Sequence, residues 1–299
     1  MPVDENLTTK RDMELLRTAA DFIRDPARLP FRFTAGGETF AGIPAEYIRE
    51  KKVCYADANL RRMEIKARVS RLHLDIAVEQ TEYLDFPVVE TLVTLTNSGD
   101  KNSAVLTDVY AADLVLPCEN PILYRNTGDY CSIDGLETFK EPLSGEQTVI
   151  TPKGGRSCDS ALPYFRVIGK NFGYNLAIGW PGQWQAEFSL SGGGLRCESF
   201  RFAAKQQYTG FYLKPGETAR LPRVTLSAFY GGELRAANIW RRWYFAHILP
   251  RVDGKSVPPM CNLAYTASSD PGDEFTQTTE ENQLWAISTL AARGARQIG

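Results

Sequence analysis

Residues 62–79 read RMEIKARVSRLHLDIAVE. In the first half, Met63, Ile65, Ala67 and Val69 alternate with Arg62, Glu64, Lys66 and Arg68. A period of two puts the apolar set on one face and the charged set on the other, as in a half-buried β-strand. The second half repeats the pattern, with Leu72, Leu74, Ile76 and Val78 inward and Arg71, His73 and Asp75 outward. That places His73 on a strand as a solvated side chain.

The same grammar extends in both directions. FPVVETLVTLTNSGDKNSAVLTDVYAADLVL (86–116) reads as two long β-rich runs around Asn97-Ser98-Gly99-Asp100, which predicts a hairpin with a longer loop. Further strands are predicted at PYFRVIG (163–169), YNLAIGW (174–180), QWQAEFSL (183–190), LRCESFRF (195–202), QYTGFYL (207–213) and ARLPRVTLSAFY (219–230). Between them recur turn signals, among them Lys170–Gly173, Pro181-Gly182, Ser191–Gly194 and Lys214–Glu217. Many short strands with almost no helix from 30 to 230 indicate a large β-sandwich, so the fold class is mainly β.

Helical spacing appears in three places. Met13, Leu16, Ala20 and Ile23 predict a short amphipathic helix over 9–24, ended by Asp25-Pro26. ELRAANIWRRWYFAHILP (233–250) carries Ile239, Trp240, Trp243 and His247 at helical spacing and predicts a helix that closes the sandwich. After RVDGKSVPP come MCNLAYTASS, a Pro-Gly turn, and TTEENQLWAISTLAARG (278–294), in which Thr278 and Glu281 make a T-x-x-E capping box. Leu284, Ile287 and Ala291 would give that helix a buried face, and Gly294 would stop it. A strand, a loop and a capped helix open a βα unit, and a parallel strand needs a partner. The domain reading is therefore a helical lead (1–28), a sandwich with its terminal helix (29–250), and the start of a barrel-type domain (258–299) that looks cut short.

Composition narrows the function. Over 299 residues, 43% hydrophobic and 23% charged content is average for a soluble globular chain. A formal charge of −2 with interspersed signs offers no electrostatic footprint for nucleic acid and no basic stretch for a membrane. The start, MPVDENLTTKRDMELL, is charged and lacks a signal-peptide core. The six cysteines (54, 118, 131, 158, 197, 261) show no CxxC spacing, which argues for a reducing, cytoplasmic setting. With two histidines, His73 and His247, neither a zinc site nor any other cofactor site is expected. The acidic groups near the end have plain explanations: Asp270, Asp273 and Glu274 lie in a Pro-Gly turn, and Glu280 and Glu281 at a helix N-terminus.

Several segments, in this order, resemble the N-terminal region of glycoside hydrolase family 36, the α-galactosidases or melibiases. They are LPFRFTAGGETF (29–40), YLDFPVVETLVTLTNSGD (83–100), GGRSCDSALPYF (154–165), AIGWPGQWQAEF (177–188), LKPGETARLP (213–222), ANIWRRWYFAHILP (237–250) and the 278–294 helix. The resemblance implies a supersandwich-type β-domain, a linking helix, and a (β/α)8 barrel beginning near Pro258, here represented by its first strand-helix unit. It implies a retaining hydrolase acting on terminal α-galactosides without a cofactor, commonly a homo-oligomer. The family's catalytic and galactose-holding aspartates lie on later barrel strands, so none maps onto this chain, and this stretch alone is expected to be inactive. Asn262-Leu263-Ala264-Tyr265 departs from the Asn-x-Trp segment often found on the first barrel strand. A non-catalytic carbohydrate-binding or assembly sandwich is the alternative, as is a family member that transfers galactose or acts on another α-linked sugar.

In the family, sandwich loops lie close to the barrel mouth. GGRSCDS (154–160) and the turn in IGWPGQWQAEF (178–188) are accordingly the candidate substrate-side loops. Arg156 and Asp159 would hydrogen-bond sugar hydroxyls, and Trp180 or Trp184 would offer a ring to the C–H face of a sugar. Pro181-Gly182 fits a type II turn, with Gly182 at positive φ. Such a turn splays its strands, so a crossing is expected rather than a tight hairpin, with one tryptophan inward and one outward.

Overall fold

The computed structural model describes residues 8–129, 133, 135–191, 199–256 and 279–294. The chain forms two compact units, Met1–Trp243 and Tyr244–Gly299. The first is the sandwich. It opens with helix α1 (Lys10–Ala19), followed by strands β1 (Arg32–Ala35), β2 (Glu38–Ala41), β3 (Ile48–Ala56), β4 (Leu60–Val69), β5 (Leu74–Tyr83) and β6 (Val88–Asn97). Next come β7 (Leu106–Pro117), β8 (Ile122–Asn126), β9 (Thr138–Pro142), β10 (Thr148–Ile150), β11 (Tyr164–Ile168) and β12 (Phe172–Gly179). It ends with β13 (Trp184–Ser191), β14 (Ser199–Gln206), β15 (Gly210–Phe211), β16 (Thr218–Arg220), β17 (Arg223–Tyr230) and helix α2 (Glu233–Trp243).

Two sheets result. The smaller runs β10-β13-β14-β7-β1-β2, with β15 also on β7; the larger runs β3-β4-β5-β6-β17-β12-β11-β8-β9, with β16 also on β6. The sheets are closed face to face by aromatic side chains. Phe165 of the large sheet meets Trp184 edge-on at 5.7 Å and Phe188 at 5.2 Å, and Phe188 lies 5.2 Å from its cross-strand partner Phe202. Aromatic pairs at these separations add to the burial of their surface, which is what drives the two sheets together.

The quoted stretch forms β4 and β5, paired from Leu60↔Tyr83 to Val69↔Leu74. Met63, Ile65, Ala67 and Val69 are buried, as the alternation requires. The chain turns earlier than expected, however. Ser70–Leu72 is a 3-10 turn closed by His73, whose φ is +53°. His73 is exposed, but on a turn rather than a strand.

The hairpin expected over 86–116 does not form. β6 lies in the large sheet and β7 in the small one, so residues 98–105 cross between layers. The reason is occupancy: the edge of β6 that β7 would need is taken by β17 and β16.

Helix α2 lies on the outer face of the large sheet, over β12 and β17. Gly173, Asn175 and Ala177 of β12 face the same way as their register partners Phe229, Ser227 and Thr225, and they keep the seat shallow. Ala236, Ile239 and Trp243 are buried against it. The chain continues as a π-helical turn (Tyr244–Ile248). At the other end, α1 caps β17 through Asp12, whose carboxylate accepts from Tyr230 N at 2.8 Å and from Arg235 Nη1 at 2.9 Å.

In the second unit the described elements are a small hairpin, β18 (Arg251–Val252) with β19 (Lys255–Ser256), and helix α3 (Glu280–Ala292). The N-cap of α3 is Thr279, whose hydroxyl accepts from Asn282 N; the expected cap, Thr278, lies outside the described residues. Gly294 follows with φ +90°, as a helix stop should. Leu284 and Ile287 are exposed and only Ala286 is buried, so the expected buried face is not found among the described residues. The strand expected at 260–269, including Asn262–Tyr265, also lies outside them.

Candidate functional site

β12 belongs to the large sheet and β13 to the small one, so Trp180–Gln183 carries the chain over the rim of the sandwich. The expected crossing is present, though by another geometry than expected. Gly182 is not among the glycines with positive φ, so Pro181-Gly182 is an open bend and not a type II turn. The bend is held from outside. Gln183 accepts from Gly155 N at 2.9 Å, and its amide nitrogen donates to the carbonyl of Pro152. A Cβ on Gly182 would stand 3.4 Å from the Trp180 indole nitrogen and 3.7 Å from Gly155 O. Gln183 thus staples the two candidate loops together.

The 152–160 loop has its own internal closure. Lys153 N donates to Asp159 O at 3.0 Å, and Gly154 and Gly155 take φ of +64° and +74°. Its far side packs on residue 128: a Cβ there would lie 1.8 Å from Cys158 O, so only glycine lets the two backbones approach.

Trp184 does not face a ligand. It is 0% exposed, stacked edge-on against Phe165, and its Nε1 donates to Ser157 O at 2.8 Å. The first inward position of β13 sends it into the core, which corrects its candidacy as a sugar platform. It anchors the loop from beneath instead. Trp180 is half-buried against the core. One tryptophan is therefore inward and the other partly open, in line with the expected split.

Arg156 and Asp159 form an ion pair, Nη2 to Oδ2 at 2.5 Å, with the arginine side chain 72% exposed and the carboxylate 12%. Asp159 also accepts from Ser160 Oγ at 2.9 Å. The hydrogen bonds from Ser160 and Arg156 hold its carboxyl below the usual range. Asp159 is consequently a fixed acceptor that braces Arg156, whose remaining N–H groups face solvent. The rim thus combines an exposed guanidinium with a half-buried indole.

Asp113 and Asp12 carry the wrong shift for a general acid. Burial pushes Asp113 up, but hydrogen bonds from Arg201 and Arg32 at 2.6 Å each outweigh it and leave the group lowered. Asp12 follows the same logic with Arg235. A glycosidic acid needs the opposite shift. Among the described residues no group of three or more His, Cys, Asp or Glu is placed to hold a metal ion. No described helix is long and apolar enough to cross a membrane.

No protein-family model and no curated protein sequence matches the chain. Solved structures do. An α-galactosidase from Lactobacillus brevis is similar over 92% of this chain and 38% of its own, at 15% identity and a TM-score of 0.62. The family 36 α-galactosidase AgaB from Geobacillus stearothermophilus is similar over 92% and 39%, at 14% identity and 0.66. A variant of AgaA from the same organism, in complex with 1-deoxygalactonojirimycin, gives the same figures. Spanning only 38% to 39% of those proteins, the chain has the fold that family 36 α-galactosidases show over this part of their structure.

Proposed function

We propose that this chain is the sandwich-bearing part of a retaining glycoside hydrolase that cleaves terminal α-galactosides. The observation that carries the reading is the fold likeness over 92% of the chain to enzymes described as α-galactosidases. In this reading the barrel begins near Pro258, after the linking helix α2. The two catalytic carboxyl groups, which retaining chemistry needs about 5–5.5 Å apart across the scissile bond, come from outside the sandwich. The arginine-paired aspartates Asp12 and Asp113 fit that division, since neither can hold a proton at neutral pH.

Arg156 takes the role of a donor to sugar hydroxyls at the edge of the substrate path, oriented by Asp159. Trp180 flanks it, and Trp184 and Gln183 keep the two loops in register. The scattered spacing of the six cysteines supports placing the enzyme in a reducing cytoplasm. The test is p-nitrophenyl α-galactoside added to the protein encoded by the complete gene and, separately, to residues 1–299. Release by the first and not by the second is expected. No release by the first, with another α-glycoside cleaved instead, overturns the galactose assignment.

A further inference from the structure

On the outer face of the large sheet, beside α2, lies a cleft of about 160 Å3. Its walls include Tyr124, Asn126, Tyr164, Arg166, Glu233 and Trp240, none of which belongs to the Gln183-stapled loops. Strand register builds its floor. Asn175, Arg166, Tyr124 and Lys140 are successive cross-strand partners on β12, β11, β8 and β9, so all four side chains rise from one face.

Arg166 is fixed in this row by a relay. Ala236 O on α2 accepts from Asn175 Nδ2 at 3.3 Å, and Asn175 Oδ1 accepts from Arg166 Nε at 2.8 Å. The bond at Nε orients the guanidinium plane. The two terminal nitrogens make no hydrogen bond to any described residue. Glu233, which also lines the cleft, pairs with Lys140 at 2.8 Å and reaches Arg166 only through space, without a hydrogen bond to it. Burial lowers the pKa of Arg166, as expected for a cation taken from water without a bonded counter-ion. Trp240 and Tyr164, edge to face at 6.2 Å, form an aromatic wall.

A held guanidinium with its fork open matches a planar, two-oxygen anion. Arg166 and Glu233 are the charged residues of the lining, and Lys140, outside it, neutralises Glu233, so the three together leave one positive charge, on Arg166. We propose that this cleft binds a small molecule carrying one carboxylate, paired with the terminal nitrogens of Arg166, and an apolar body resting against Trp240.

Benzoate is the probe, with benzamide as its neutral counterpart and D-galactose as a neutral sugar, followed by saturation-transfer NMR on the whole protein. Transfer to benzoate and not to benzamide is expected, weakening as salt is raised. Arg166→Gln should weaken benzoate binding by about tenfold or more. Arg166→Lys should fall between, keeping the charge and losing the fork. Should the glutamine variant fail to fold, Asn126→Asp, which sets an internal carboxylate at the rim, should displace benzoate in a folded protein. Equal transfer to benzoate and benzamide, an unchanged affinity in Arg166→Gln, or competition by D-galactose at the same concentration overturns the proposal. So does self-association that Arg166→Gln abolishes in a protein that ignores benzoate, since the carboxylate would then be a side chain of a second copy. None of these outcomes bears on α-galactoside cleavage, so the two readings fail separately.

Discussion

Two arginine–aspartate pairs in this protein have the same closest approach and opposite settings. Arg235 and Asp12 meet at 2.5 Å with side chains 1% and 0% exposed. Arg156 and Asp159 meet at 2.5 Å with 72% and 12%. The first joins α1 to α2 over the end of β17, across 223 residues of sequence, and is tied in further by Thr9 N, Tyr230 N and Tyr230 O. The second closes a three-residue step within one loop. Distance therefore says little about what a pair does. A buried pair must be kept whole because either charge alone is costly there, whereas a rim pair is screened and leaves one partner available to something else.

Breaking the buried pair should give the largest effect. Asp12→Ala leaves Arg235 charged and enclosed, and a loss of about 3–5 kcal/mol in urea unfolding is expected. A loss within about 0.5 kcal/mol would mean that water reaches Arg235 and that the two pairs are alike after all. Acid sharpens the contrast. Burial raises the Asp12 carboxyl, and the bonds from Arg235, Thr9 and Tyr230 more than reverse this, so the folded-state pKa lies below 3.8. A lowered carboxylate contributes stability that is present above its unfolded pKa and is lost as pH falls through the folded one. Wild type should therefore lose stability below pH 3.8, and Asp12→Asn should show a shallower acid limb, with the other lowered carboxylates, Asp113, Asp75, Asp159 and Glu50, supplying what remains.

The next effect is set by Trp184, which belongs to the core by burial and to the rim loop by its hydrogen bond. Trp184→Phe keeps a ring against Phe165 but drops the bond to Ser157 O and leaves a void. About 2 kcal/mol is expected, from roughly 1 for the hydrogen bond and the remainder for lost packing. Hydrogen exchange in 152–160 should rise more than in β4 and β5. Uniform acceleration would show that the indole serves the core alone.

These cases also mark what a sequence can disclose. The alternation in β4, β5 and the later strands is a property of neighbours two apart, and it located nearly every long strand. Which sheet β7 joins is not local, because a hairpin and a crossing share one period; the competitor for that edge, β17, lies more than a hundred residues on. The turn at Ser70–His73 carries neither Gly nor Pro, so nothing punctuated it. Asp12 reads as one more charged residue near a helix start, and only the fold brings Arg235 to it. At the rim, the tryptophans drew attention by rarity, and one of them proved to be core. Gln183, which ties the loops, has no signature at all, since an amide that bonds two backbone groups looks like any surface glutamine.

The smallest effect on stability should fall on the exposed pair, and there the comparison has its use. Arg156→Ala removes a mostly solvated charge, and the cost should stay below about 1 kcal/mol. Asp159→Asn keeps the acceptor for Ser160 and loses only the charge, so it should cost no more. If Arg156 is a donor to sugar hydroxyls, both variants of the galactoside-cleaving enzyme should raise KM, with Arg156→Ala the larger, while kcat changes less. Equal loss of kcat and kcat/KM would instead put Arg156 in contact with the reacting bond. An unchanged KM would make the pair a loop closure and nothing further. The buried pair offers no such three-way outcome: its substitution is read in stability alone, because no ligand can reach a guanidinium that is 1% exposed.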